Sequence, residues 1–410
     1  MRKKKILILE MADESTMNGV SRHTEMLCKG INKCLFDVFH IRLLSSTNIV
    51  LTKAMLKVDY TEIIIPFPQN AHKILSNQNW ADEFSELFVH LLPTHIDSKT
   101  ILHIHTINLI NIACSIKKTY GCKIISHIHC IPWKYFYSGD QAKFNYLYGH
   151  LIGEKQEKEK LHRRFMLTDE LRIAEESDAI VCLTKSAMQY YSKYLHAAHS
   201  KLHFVPNGIT DNCRDYATLV KNKRDDSGIT QLLYVGRVSS EKGVQFLLEA
   251  MNIIWERHDS IQLTIAGQEE KEMTQLIEHK YAKLSITRLG ATSYENLCTL
   301  YRTCHLGIIP SLFEQCSYSA IEMMMFGLPI IHTDIRELNE MLGRNYSIHT
   351  HFNPLDELTI DVANFAKSIV NLSNDNSLRT QNGIQNRILY LKNYQLPHMI
   401  KGITNIYEQL

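Results

Sequence analysis

Short apolar runs alternate along the chain with segments whose apolar residues recur at helical spacing. In the first half the runs are Lys5–Leu9 (KILIL), Thr100–Thr106 (TILHIHT), Lys123–Cys130 (KIISHIHC), Asp178–Thr184 (DAIVCLT) and Leu202–Ile209 (LHFVPNGI). Each reads as a buried strand. A polar loop, Ala12–Gly19, separates the first from the helix-like segment SRHTEMLCKGINKC. In the second half strands are expected at Leu232–Val235, Gln262–Gly267, Ile286–Gly290, Leu306–Ser311 and Leu328–Thr333. Apolar residues at 244, 247, 248, 251, 254 and 255 line one helix face, Ser293 opens another helix, and Leu396–Leu410 is amphipathic.

Strands alternating with helices at this pitch predict parallel sheets with right-handed crossovers. A chain of 410 residues exceeds one ordinary core, and Pro206-Asn207-Gly208 is strong turn chemistry before a polar stretch. The expected fold is α/β, with two doubly wound Rossmann-like domains facing across a cleft. Their ranges are 1–207 and 208–392, with a final helix, 393–410, packing back across both.

Composition removes several alternatives. The formal net charge of +2, from 45 basic and 43 acidic residues, gives no electrostatic argument for a nucleic-acid partner. The ten cysteines contain no C-x-x-C pair, which favours a reduced, cytosolic compartment over zinc ribbons or a disulfide framework. The apolar ILIL after the basic start is shorter than a signal-peptide core or a membrane span. A cytoplasmic location is expected, with at most peripheral contact at the inner membrane face. No G-x-G-x-x-G follows a strand and no P-loop is present.

The candidate chemistry concentrates in two stretches of the second half. PSLFEQCSYSAIEMMMFGLP (Pro310–Pro329) sets Glu314 just after a strand and Glu322 inside a short helix closed by Gly327. A helix advances about 1.5 Å per residue, so the two carboxylates address opposite ends of an elongated ligand. Upstream, Gly236, Arg237 and Lys242 lie between a strand and the first turn of a helix. A guanidinium, an ammonium and a helix N-terminus converge where a diphosphate would bind. In the first half, strand alternation puts His103 with His105 and His127 with His129 on one face.

The Pro310 string resembles the E-x7-E motif of the retaining glycosyltransferases of family 4, which have the GT-B fold. Gly236, Arg237, Lys242 and Gly243 match that family's Arg-x4-Lys loop. Asn18-Gly19 through His23 is similar to its Gly-Gly-x-x-x-His loop, with Asn18 in place of the first glycine. The resemblance implies transfer of a sugar from a nucleotide-diphosphate sugar, with retained anomeric configuration and a front-face course. It implies a catalytic set of His129, Glu314, Arg237 and Lys242. Donor binding would involve Gly19, Gly236, Arg237, Lys242, Glu314, Gln315, Cys316, Ser317 and Glu322, with Glu322 at the ribose hydroxyls and Glu314 at the sugar's own. Gln315-Cys316-Ser317 stands where the family has Gly-Phe-Gly, so donor sugar specificity is expected to differ. His105, Trp133 and Tyr135 are the acceptor-side candidates. No cofactor and no metal are expected, since no Asp-x-Asp sits at a strand end. The acceptor would be a glycan, a lipid-linked or small molecule, or a peptide. A catalytically silent GT-B subunit that binds a partner transferase is the main rival, and a nucleotide-sugar epimerase on the same fold a weaker one.

Overall fold

The computed structural model describes residues 3–13, 19–45, 52–67, 78–132, 134, 158–213, 215–218, 228–255, 258, 260–353 and 358–410, with side chains described outside 13 and 158–166. The chain divides into two compact units, Met1–Asn207 with Leu396–Leu410, and Gly208–Gln395.

The first unit is built on β1 (Lys4–Asp13), β2 (Phe36–Ser45), β3 (Lys53–Leu56), β4 (Thr61–Phe67), β5 (Ile101–Ile104), β6 (Lys123–Ile128), β7 (Ala179–Cys182) and β8 (Leu202–Phe204). They form one sheet in the order 3-4-2-1-5-6-7-8, parallel except for β3 against β4. Ile6–Leu9 of β1 are all apolar because both faces are covered. Leu7 and Leu9 join the core shared with helices Gln78–Leu91 and Ile110–Tyr120. Ile6 and Ile8 join the opposite core, as a two-residue side-chain period requires. That second core is completed by Met399, Ile403, Ile406 and Tyr407 of the last helix, Leu396–Gln409. The sequence reading has this helix returning over both domains from residue 393; in the structure the division falls after Gln395, and the helix counts with the first unit.

The second unit contains β9 (Thr230–Val235), β10 (Ile261–Ala266), β11 (Ile286–Arg288), β12 (Leu306–Ile309), β13 (Ile330–Thr333) and β14 (Ser347–Ile348). Their order is 11-10-9-12-13-14, all parallel. Helix Val244–Trp255 buries Val244, Leu247, Leu248, Met251 and Ile254, the stripe read from the sequence. Ser293 caps the helix Tyr294–Thr303 through the Asn296 N–H at 3.3 Å. Helix Tyr318–Met325 ends where Gly327 turns with φ +59°, and the Leu328 N–H closes back on the Met323 carbonyl at 2.9 Å. That left-handed conformation is costly for any residue with a Cβ.

Strand order reverses once in each sheet, at β1/β5 in the first and at β9/β12 in the second. In open α/β sheets the crevice at the carboxyl ends of the strands flanking such a reversal is where ligands bind.

Candidate functional site

In the second unit the reversal point holds the two stretches picked out by sequence. After β9, Gly236 takes φ +154° and Arg237 follows it, with a short 3-10 turn, Ser240–Lys242, leading into helix Val244–Trp255. Gly243 joins turn to helix with φ +65°, and a Cβ there would overlap the Pro310 carbonyl. Only glycine lets the helix start lie against the loop after β12. The contact is locked by the Leu312 N–H donating to the Glu241 carbonyl at 3.0 Å.

This packing delivers Lys242 to Glu314. The ammonium donates to Glu314 Oε1 at 2.5 Å, and the Ser311 hydroxyl donates to the same oxygen at 3.1 Å. Both side chains are largely buried. Arg237, 59% exposed, pairs with Glu241 at 2.9 Å and with Glu270 at 3.8 Å. The guanidinium end of both pairs is open to solvent, and such pairs contribute about 0–1 kcal/mol, so Arg237 is cheaply re-paired with an incoming anion. Tyr234 sits beneath, its hydroxyl donating to the Arg237 carbonyl at 2.5 Å. Burial, reinforced by nearby Glu314, pushes its ionisation well above the usual phenol range.

Ser317 caps helix Tyr318–Met325, accepting from the Ala320 N–H at 3.4 Å. Gln315 and Cys316 are buried in the turn before it. Glu322 is buried and accepts from the Tyr301 hydroxyl at 2.6 Å. Of the predicted donor-side residues, Gly236, Arg237, Lys242, Glu314, Gln315, Cys316 and Ser317 thus lie on the two loops that follow β9 and β12. Glu322 lies one helical stretch further in. Glu241, Ser311, Tyr301 and Glu270 were not found by sequence reasoning: Tyr301 and Glu270 act on partners distant in sequence and Glu241 through its backbone, while Ser311, three residues from Glu314, was read only as part of a turn.

In the first unit the same edge is filled by imidazoles. The His105 N–H still pairs with the Leu9 carbonyl at 2.9 Å, so the chain beyond β5 continues alongside β1. His105 Nδ1 lies 2.9 Å from His129 Nε2, and His127 and His129 stack at 4.5 Å with 5° between planes. His23, from the helix Gly19–Gly30, meets both edge-on at 4.5 and 4.9 Å. Its Nδ1 lies 3.0 Å from Asn207 Oδ1. His103 reaches the Tyr407 hydroxyl at 2.7 Å and His127 at 3.3 Å. Burial holds these rings neutral, with His103 pushed down to about 3 and His23 to about 4. His105, His127 and His129 are all held well below the usual imidazole range by burial and by one another's proximity.

Beside this cluster, Glu10 is fully buried near the end of β1. Its Oε1 accepts from Arg42 Nε at 2.9 Å and lies 3.2 Å from His40 Nε2. Burial alone would raise its pKa, but the His40 and Arg42 contacts outweigh it and hold the carboxyl low. Gly19 opens its helix in an exposed position. Trp133 and Tyr135 lie outside the described residues.

Residues 217–386 match the family Glycosyl transferases group 1. The chain is 27% identical over 178 residues to an uncharacterised glycosyltransferase of Methanocaldococcus jannaschii, covering 41% of this chain and 45% of that protein. It is 28% identical over 171 residues to a glycogen synthase of Mycobacterium tuberculosis, covering 41% of this chain and 40% of that one. The matched region therefore spans less than half the length of these two relatives. Among solved structures, a sucrose-phosphate synthase from Thermosynechococcus elongatus superposes with a TM-score of 0.75 at 16% identity over 99% of both chains. A trehalose-6-phosphate structure from E. coli bound with UDP-2-fluoro glucose superposes with a TM-score of 0.71 at 12% identity, again over 99% of both. The fold is GT-B, with two Rossmann-like domains. Among the described residues no helix is long and apolar enough to cross a membrane.

Proposed function

We propose that this protein is a retaining, metal-independent glycosyltransferase that moves a sugar from a nucleoside-diphosphate sugar to an acceptor hydroxyl. The observation that carries the reading is the gathering of Arg237, the Lys242–Glu314 pair and the start of helix Val244–Trp255 at the β9/β12 reversal point. The matching family and the donor-bound neighbour support it.

As the bond between the sugar's anomeric carbon and the β-phosphate oxygen breaks, negative charge grows on that oxygen and the sugar becomes oxocarbenium-like. Arg237, Lys242 and the helix N-terminus meet the growing charge with fixed donors. Loss of one such donor typically costs about 2.7–4 kcal/mol of barrier. The acceptor oxygen forms the new bond on the face the leaving group departs from, and its proton passes to the departing phosphate. No carboxylate nucleophile is required. Glu314, already oriented by Lys242 and Ser311, takes the donor sugar's hydroxyls. Glu322 takes the ribose hydroxyls, and His129 borders the transferred sugar. We place the work in the cytoplasm, in glycan or glycoconjugate synthesis, with an acceptor that is a glycan, a lipid-linked or small molecule, or a peptide.

The test is thermal unfolding with UDP-, GDP- and ADP-sugars, each with and without EDTA and read against EDTA alone, on wild type and Arg237→Ala. A donor at about 100 times its dissociation constant stabilises by roughly 2.7 kcal/mol, a shift of several degrees. Uridine donors come first, because the E. coli neighbour is bound with one. A shift that survives EDTA and is lost in Arg237→Ala supports the reading. A shift that requires Mg²⁺ refutes metal independence, and no shift with any donor refutes the donor site.

A further inference from the structure

We propose that His23, His105, His127 and His129 form a binding site for one late first-row divalent cation, with Zn²⁺ as the reference ion. Each ring offers a nitrogen, and the four nitrogens lie within 4.8 Å of one another. A tetrahedral zinc with Zn–N of about 2.0–2.1 Å needs them roughly 3.3 Å apart. The His105–His129 pair is already at 2.9 Å. His127 and His129 now stack in parallel, so closing on an ion requires rotation about χ2, the softest torsion of a histidine.

Two observations point to a ligand rather than to packing alone. His127 Nε2 is buried with no hydrogen-bond partner among the described residues, although its ring is almost wholly enclosed. Buried polar atoms seldom stay unsatisfied. Asn207 Oδ1 accepts the Nδ1–H of His23 at 3.0 Å, which fixes the His23 tautomer with Nε2 as the unprotonated nitrogen. Metal-bound imidazoles are usually oriented by such a carbonyl.

The ligand type selects the ion. Four imidazoles without a carboxylate suit zinc, nickel, copper or cobalt and suit magnesium and calcium poorly. The site is thus distinct from the hard cation that some transferases place on a diphosphate, and it lies in the first unit while the diphosphate chemistry lies in the second. His129 serves in both readings, so a bound cation and a sugar contact at that ring exclude one another.

The experiment is equilibrium dialysis of untagged, metal-stripped protein against Zn²⁺ and, separately, Mg²⁺, with elemental analysis. One tightly held zinc per chain and no comparable magnesium are expected. X-ray absorption of the zinc form should show about four nitrogen neighbours at roughly 2.0–2.1 Å, and the cobalt form should show tetrahedral visible absorption. His105→Gln/His127→Gln should lose the site, and Asn207→Ala should weaken it by about 10–100-fold. The exposed controls His90→Gln and His279→Gln should leave it intact. The proposal fails if zinc is not retained, if it survives His105→Gln/His127→Gln, or if fewer than three imidazoles surround it in wild type. That last measurement decides even if the double variant does not fold. None of these readouts depends on sugar transfer.

Discussion

At the reversal point of the second sheet the side chains are charged and already paired; at that of the first they are neutral rings packed against one another. Topology is the same in both. The difference comes from what each strand end carries: a Gly-Arg and a Pro-Ser-x-x-Glu in one unit, two His-x-His strings in the other. A charged pair such as Lys242–Glu314 is poised to trade partners with an anion. A neutral imidazole cluster is poised to donate lone pairs, or to take up protons. The fold supplies two strand-end crevices of the kind at which α/β proteins take up ligands, and the residues decide which chemistry each crevice suits.

The sharpest way to break this contrast is acid. Five imidazoles in the first unit have folded pKa values below the unfolded value of about 6.5. The unfolded chain then binds more protons, so their contribution is present above pH 6.5 and is lost as pH falls towards and through the folded values, about 4 for His23 and about 3 for His103. Each site contributes up to about 1.4 kcal/mol per pH unit, and a progressive loss of stability from pH 6.5 to pH 4 is expected. Hydrogen exchange, corrected for intrinsic rates, should show the first unit opening before the second. If the second opens first, the ring cluster is not the acid-labile element.

Next in size, Lys242→Met should lower transfer by about 10²–10³-fold, measured as nucleoside diphosphate release, while unfolding remains cooperative. An effect under threefold would mean that the pair with Glu314 is structural only.

How far the sequence carried these contrasts depends on range. The parallel runs, the stripe on helix Val244–Trp255, and the Arg237/Lys242 and Glu314/Glu322 spacings were legible because each is local. The run Phe36–Ser45 was passed over, since His40 and Arg42 interrupt its apolar pattern, and both are answered by Glu10, more than a quarter of a hundred residues away. Tyr301 on Glu322 and Glu241 beneath Leu312 were invisible for the same reason. Alternation placed His103 with His105 and His127 with His129, but the convergence of the two pairs with His23 needs the β1, β5 and β6 register, which no short-range pattern encodes.

A third comparison sets Glu314, held by Lys242, against Glu170, buried beside Asp169 with the Tyr190 hydroxyl at 3.1 Å. Burial, aided by Asp169, raises Glu170 to about 8. Its folded pKa lies above the unfolded value of 4.5, so stability is full below about pH 4.5 and declines as pH rises towards 8. Glu170→Gln should therefore stabilise the protein at pH 8 by about 1–3 kcal/mol and change it little at pH 4.5. Denaturant titrations at the two pH values check this, and equal effects at both would show that the carboxyl is not the titrating group.

The smallest effect belongs to the exposed pair. Glu241→Gln should alter stability by less than about 1 kcal/mol while tightening donor binding in the same thermal assay, because Arg237 loses a competing carboxylate. Weaker donor binding would assign Glu241 to positioning the guanidinium instead.

The helix Leu396–Gln409 sets an order of events during synthesis. Ile209 and Gln395 are bridged side by side, with the Ile209 N–H on the Tyr394 carbonyl at 3.0 Å, so the second unit is one uninterrupted stretch whose two ends meet. It can fold as soon as residue 395 has left the ribosome. The first unit, although it comes earlier in the chain, cannot close the core of Ile6, Ile8 and Val181 until Met399, Ile403 and Tyr407 arrive. For the time it takes to translate the whole of the second unit, that apolar sheet face stands open on the nascent chain and is a natural client surface for a chaperone.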